Sequence, residues 1–433
     1  MRTKWRSLSR YVRSALWVVP LIAMLLELAL MPVLRELDTR FSWTLLGLGL
    51  SGARSMLETF VSMALSFMVF TFGSLLVAIQ VASGQLTPRV IATTLLRDNV
   101  VRYTVGLFAF TLIFAINALN RLEPTPHQLV LLLAVVLGLS SIAAFLYLID
   151  YAARLLRPIA ILARIAEGGL TVIEQLYPQQ TQSQPQPSAS PLDLGPPARI
   201  IEHAEDSQII LTVNIEAMVA QAEATGIIIE MIPSVGDFIG KDEPLFAIYG
   251  EADAIDDDEL RALVSFGTER TMEQDPTFSF RIVIDIALKA LSPAINDPTT
   301  AVLAIDQLQR LLRMVGKRHL RNDHILDTTG RLCAIFRTPN WDDYVHLSFS
   351  EIRRYGADSV QVSRRLRAMI ENLTLTLPEH RHPALQQQMV LLDRLVESSF
   401  AFPEDLALAR VPDPQGLGGA KISLRSIGGG THP

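Results

Sequence analysis

Charged positions are missing from long stretches near the start of the chain. No Asp, Glu, Lys or Arg lies between Glu58 and Arg89, between Arg102 and Arg121, or between Glu123 and Asp150. A fourth apolar stretch, Ser14 to Leu34, is interrupted only by Glu27. A bilayer core of about 30 Å needs about 20 apolar helical residues, so each stretch is long enough to span it. Beyond residue 150 the chain alternates charged and apolar residues as a soluble domain does. The pattern predicts an α-helical polytopic membrane protein, with four transmembrane helices and a mixed α/β, mostly helical, cytoplasmic C-terminal region.

The same pattern divides the chain. A four-helix transmembrane domain is expected over 1–150. A helical stalk follows over 151–176, with Leu155, Ile159, Leu162, Ile165 and Leu170 apolar and a kink at Pro158. Residues 177–198 form a Gln/Pro/Ser linker that has no apolar period and cannot bury a core. Residues 199–250 read as a small α/β module, with strands at 209–211, 226–232 and 244–249 around a helix at 216–224. The string GDFIGKDEPLFAI within it resembles a lipoyl/biotinyl-type barrel or a potassium-transport regulatory domain. The exposed Met-Lys-Met lysine of a swinging-arm carrier is missing, so no such cofactor is expected. Residues 251–410 are mainly helical, interrupted by one hairpin at 324–337 that turns at Thr329-Gly330. Residues 411–433 read as a frayed Gly/Pro-rich tail.

Charge then sets orientation. Under an N-inside arrangement the inner segments hold Arg2, Lys4, Arg6, Arg10, Arg13, Arg89, Arg97, Arg102, Arg154, Arg157 and Arg164. The outer loops hold Arg35, Arg40, Arg54 and Arg121. That bias places both termini in the cytoplasm of a cell with the protein in its inner membrane. The first apolar run is over-long for a signal peptide and ends in Met31-Pro32 without a small-residue cleavage site, so it is read as a retained helix. A net charge of −6 argues against nucleic acid as a partner. Cys333 is the single cysteine, which excludes an intrachain disulfide and a thiolate metal cluster.

Two places are candidate sites. Glu27 lies well inside the first span, where a carboxylate costs on the order of 3 kcal/mol unless protonated, paired or hydrated. It reads either as a proton or cation site or as a tolerated lone acid near the outer third, protonated or paired with Arg54. On the second span Ser62, Ser66, Gly73, Gln80 and Gly84 recur at spacings of four or seven, a stripe suited to close helix packing or to a water-lined path with Gln80. In the soluble half, Arg281 and Asp285 stand one helical turn apart inside an apolar run, and the bend 292–297 brings Asn296 and Asp297 before Pro298. Asp297 and Pro298 suit a helix start, and Arg281 with Asp285 suits a partly buried pair that fixes two helices; a ligand cleft formed with Asn296 is the other reading. Gly47 to Gly52 fits G-x-G-x-x-G but lacks the βαβ context. His380 and His382 lack further metal ligands nearby in sequence. The acidic run 251–259 does not match an EF-hand.

The strings FGSLLVAIQVASGQLTPR and QDPTFSFRIVIDIALKALSPAINDPTTA resemble the bacterial predicted membrane protein family called domain of unknown function 2254, over most of the chain. The resemblance implies four spans and a soluble C-terminal region, and no assigned activity. Combined with the residues, it leads to an oligomeric channel or transporter with a cytoplasmic regulatory domain. The alternative is a membrane-anchored sensor or scaffold. No catalytic set and no cofactor are expected. A four-helix unit is small for a private pore, so self-association is expected.

Overall fold

The computed structural model describes residues 18–41, 47–85, 99–123, 127–155, 157–181, 194–251, 255–320, 323–327 and 329–418. The basic N-terminal lead-in, Arg89, Arg97, most of the Gln/Pro/Ser linker and the last fifteen residues of the tail lie outside them. The chain divides into two compact units, Met1–Ile161 and Leu162–Pro433.

The first unit is built from α1 (Val18–Phe41), α2 (Leu50–Gln85), α3 (Asn99–Asn120) and α4 (Gln128–Leu155). All four are long and apolar enough to cross a membrane. Helix α3 packs against the other three and is the most enclosed of them. The core around it holds Met31, Leu57, Phe114 and Leu131. Close approach of α4 to α2 depends on Gly138, where a Cβ would lie 2.4 Å from the ring of Phe60. The expected Pro158 kink is a break. Helix α4 stops at Leu155 and α5 (Pro158–Leu176) restarts with proline at its first position, where no N–H is needed.

In the second unit, β1 (Arg199–Glu202), β3 (Ile228–Met231), β5 (Pro244–Tyr249), β7 (His324–Leu326) and β8 (Leu332–Phe336) form one sheet in the order β1-β5-β3-β8-β7. Its pairs are antiparallel except β3 with β8. A second sheet, order β4-β2-β6, joins β2 (Gln208–Val213), β4 (Phe238–Ile239) and β6 (Val264–Gly267). Helices α6 (Ile215–Thr225) and α7 (Asp257–Arg261) complete this part. One core runs through Ile210, Met218, Ile229, Phe246, Leu260 and Cys333. The α/β module therefore does not close at residue 250, because the 324–336 hairpin supplies two strands of its larger sheet and β6 follows the acidic run.

The helical part holds α8 (Pro276–Ala290), α9 (Pro298–Gly316), α10 (Trp341–Tyr355), α11 (Val360–Thr376), a 3-10 turn at Glu379–Arg381, α12 (His382–Ser399) and α13 (Pro403–Ala409). Helix α8 packs on α9 and α10, and α11 packs on α9 and α12. Residues 411–418, expected to fray, are held in place. Arg364, wholly buried on α11, donates to the carbonyls of Val411 (3.0 Å) and Gly418, and Asp413 accepts from the main chain of Gln415, Gly416 and Gly418.

Candidate functional site

Glu27 is completely enclosed in the helical bundle. Asn117 of α3 donates its side-chain N–H to Oε2 at 2.8 Å, while Oε1 is buried with no hydrogen-bond partner among the described residues. A buried polar atom left unmatched is uncommon and costs free energy comparable to a lost hydrogen bond. Arg54 does not pair with Glu27; it binds Glu58 on its own helix at 3.1 Å. Gln80 is exposed near the end of α2 and is not the partner of Glu27. The second-span stripe also faces outward: Ser62, Ser66, Gly73 and Gly84 are exposed, and nothing lies within 4 Å of a Cβ added at either glycine.

Spacing of 27, 31, 34 and 38 puts one face of α1 against its neighbours. At the far end of that face Asp38 is buried and accepts from the backbone N–H of Leu129 in the first turn of α4, at 3.3 Å to each oxygen. His127 lies 3.4 Å from Asp38 through Nδ1 and 3.8 Å from Glu123 through Nε2. A cavity of about 10 Å³ lined by Met31, Asn117, Arg121, Glu123 and His127 separates this cluster from the Asn117 that holds Glu27. Deeper in the bundle Thr111 and Ser141 meet at 3.0 Å and join α3 to α4.

In the second unit Arg281 lies 2.6 Å from Asp285 and 2.8 Å from Glu351 of α10. The hydrogen bonds that Arg281 donates to Glu351 and to Asp285 raise the guanidinium's already high pKa against the effect of burial. Asn296 takes a left-handed backbone (φ 47°), and Asp297 caps α9 through the N–H of Thr300 at 3.1 Å and its hydroxyl at 2.5 Å. Arg281 thus joins α8 to α10 through Glu351 while pairing with Asp285 on its own helix, and Asn296 and Asp297 make the turn into α9. His382 bonds the carbonyl of Leu377 at 3.0 Å, and burial, with Arg381 and His382 adjacent, pulls the pKa of His380 down. Among the described residues no group of three His, Cys, Asp or Glu is placed to hold a metal ion.

One further acid stands out in this unit. Asp275 is buried at the start of α8, caps Phe278 at 3.2 Å, binds the Thr277 hydroxyl and pairs with Arg270 at 3.0 Å. Burial pushes its carboxyl up, opposed by Thr277 and Arg270. Gly236 (φ 92°) lies over the pair, where a Cβ would come within 2.3 Å of the guanidinium. The neighbouring cavity, lined by Tyr177, Ser234, Gln274, Asp275 and Arg337, has about 40 Å³. That is room for a few waters, against the roughly 300 Å³ or more of small-molecule pockets.

The predicted membrane protein family DUF2254 matches residues 13–372. The chain belongs to this family. Relatives of this DUF2254 chain include the uncharacterized protein Rv1290c of Mycobacterium tuberculosis (strain ATCC 25618 / H37Rv) and the uncharacterized protein Mb1321c of Mycobacterium bovis. Each is 26% identical over 426 residues, covering 94% of this chain and 81% of the relative. No solved structure matches. The family description and the four long apolar helices agree on a membrane protein.

Sequence reasoning passed over Asn117, Asp38, His127 and Asp275. Asn117 was legible as one of two carboxamides, with Asn120, inside the uncharged stretch from Arg102 to Arg121. Asp38 continues the Glu27 face of α1 at i+11. Asp275-Pro276 repeats the Asp297-Pro298 pattern and starts a helix in the same way. His127 carried no local signal, because what defines it is its approach to a helix ninety residues earlier.

Proposed function

We propose that this DUF2254 protein is a subunit of an oligomeric membrane channel or transporter, that Glu27 with Asn117 forms its intramembrane ion site, and that the C-terminal unit regulates it from the cytoplasm. One observation carries the reading: a fully buried carboxylate on an apolar helix of the bundle, with one oxygen bonded to Asn117 and the other unmatched among the described residues. Intramembrane acids are costly and mark ion or proton pathways by default. The excess of Lys and Arg on one side of the spans supports cytoplasmic termini. The exposed polar face of α2, with Ser55, Thr59, Ser62 and Ser66, supports burial against another subunit, since small residues let helices approach in lipid. The 40 Å³ cavity beside Asp275 gives little support to the alternative of a small-molecule sensor.

The test is ion flux into liposomes carrying the purified full-length protein. Glu27→Gln keeps the shape and removes the charge, so it should abolish flux while leaving the protein folded. Equal flux through wild type and Glu27→Gln would overturn the reading.

A further inference from the structure

We propose that the ion taken by Glu27 is a proton, and that it enters by way of His127 through the water-sized cavity that Met31 closes on the Glu27 side. This rests on the transport reading above and names its substrate and entrance.

The donor set excludes a metal cation first. A hard cation takes about six oxygen ligands, and those cages use several carboxylates or carbonyls. Among the described residues Glu27 has one hydrogen bond, from Asn117, and no group of three His, Cys, Asp or Glu is placed to hold a metal ion. What a carboxylate with one buried oxygen unmatched among the described residues can bind is a proton on Oε1.

A route is needed because Glu27 is sealed. Asp38 lies eleven residues further along α1, about 16 Å along the helix axis, too far for direct transfer. The space between is bridged from α3 and the start of α4. The cavity touches Asn117, which holds Glu27, and His127, which pairs with Asp38 and Glu123. Its volume of about 10 Å³ is about what one water requires. The charged groups facing it are Arg121 and Glu123, with Asp38 behind His127. With His127 neutral these three groups leave one net negative charge around the imidazole. Histidine is the side chain whose ordinary pKa lets it take up and release a proton near neutral pH.

Transfer then balances simply. The imidazolium N–H breaks and its proton passes to the cavity water, which releases a proton to Oε1 of Glu27. A new O–H bond forms, the carboxylate becomes neutral, and His127 is reprotonated from the solvent at that end of the bundle. Met31 is the remaining obstacle. It is buried, lines the cavity and sits one turn from Glu27 on the same face of α1. An unbranched thioether with three rotatable bonds can swing aside where a branched or aromatic side chain would not. Met31 is therefore the gate between entrance and site.

The experiment follows internal pH with an entrapped dye in liposomes holding the full chain, after an imposed pH step. His127→Ala should slow proton entry by about tenfold or more, the scale of a positioned proton-transfer group. Added imidazole should restore part of that rate, which a merely structural loss would not allow. Met31→Phe should slow entry and Met31→Ala should speed it. Flux lost in Glu27→Gln but unchanged in His127→Ala and both Met31 variants would overturn the entrance and leave the transport reading standing. Flux unchanged in Glu27→Gln would defeat both. Potassium or sodium flux without proton flux in the wild type would overturn the proton as substrate.

Discussion

Arg281 of α8 reaches Glu351 of α10 at 2.8 Å while holding Asp285 of its own helix at 2.6 Å. The two acids are unequal: Asp285 is 14% exposed and Glu351 is 44% exposed. Arg281→Ala leaves the more buried carboxylate without its cation and should cost about 2 kcal/mol. Glu351→Ala removes a solvent-screened partner and should cost less than about 1 kcal/mol. Thermal unfolding of the detergent-solubilised protein separates the two. If neither variant melts earlier yet both lose cellular activity, these residues face a ligand and not each other.

Glu27 permits an opposite result. Glu27→Leu removes an acid that costs on the order of 3 kcal/mol in the bundle. It also strands the Asn117 amide, and interhelical hydrogen bonds in membranes are worth about 1 kcal/mol. Relief exceeds loss, so the variant should melt higher than the wild type while transport disappears. A Glu27→Leu protein that melts lower would show that the acid is kept for packing.

The spans were legible because uncharged length alone specifies them, whatever they pack against. Helix starts at Asp297-Pro298 and the turn at Gly330 were legible for a similar reason, since capping and φ > 0 are local demands. The larger sheet was not. Its parallel pairing of Ile229 with Ala334 joins distant segments, and neither strand carries a mark of its partner. Arg54 was the wrong partner for Glu27 because charge alone cannot show that an i+4 acid, Glu58, already satisfies it. The real partner is a neutral amide ninety residues away.

Asp327 predicts an acid-sensitive hairpin. Its carboxylate accepts from the Thr329 hydroxyl at 2.6 Å and from the N–H groups of Arg331 at 2.9 Å and Thr329 at 2.8 Å. These bonds, the Thr329 hydroxyl first, lower its pKa from 3.8 to about 2. The folded value lies below the unfolded one, so the stabilisation is complete above pH of about 4 and is lost as pH falls toward 2. Asp327→Asn should flatten the stability profile across that window and leave it unchanged in shape near neutrality. Acid titration followed by tryptophan fluorescence checks this; an unchanged slope would remove Asp327 from the account.

The bias in Lys and Arg predicts which ends face the cytoplasm. Single cysteines at Thr125, between the third and fourth spans, and at Gln182, after the fourth, should behave differently in a Cys333→Ser background. An impermeant maleimide on intact cells should label Thr125→Cys, and Gln182→Cys only after permeabilisation. Labelling in the reverse order inverts the topology, and with it the side from which His127 would be charged.

The last prediction concerns the end of the C-terminal unit. Arg364 is fully buried and directs its guanidinium to the carbonyls of Val411 and Gly418, while Asp413 collects three main-chain N–H groups from the same segment. Removing the chain after Arg410 would leave a buried cation without those acceptors, a far larger cost than trimming a loose end. Truncation there should destabilise the unit by several kcal/mol, on the order of 3 to 5 for a broken buried charge contact. Arg364→Met tells the same story from the other side: it removes the charge, fills much of the space, and frees residues 411–418. Hydrogen exchange should then show the amides of Gly416 and Gly418 exchanging fast while the core of α11 stays protected. Equal protection of those amides in Arg364→Met and wild type would mean that Asp413 alone holds the segment.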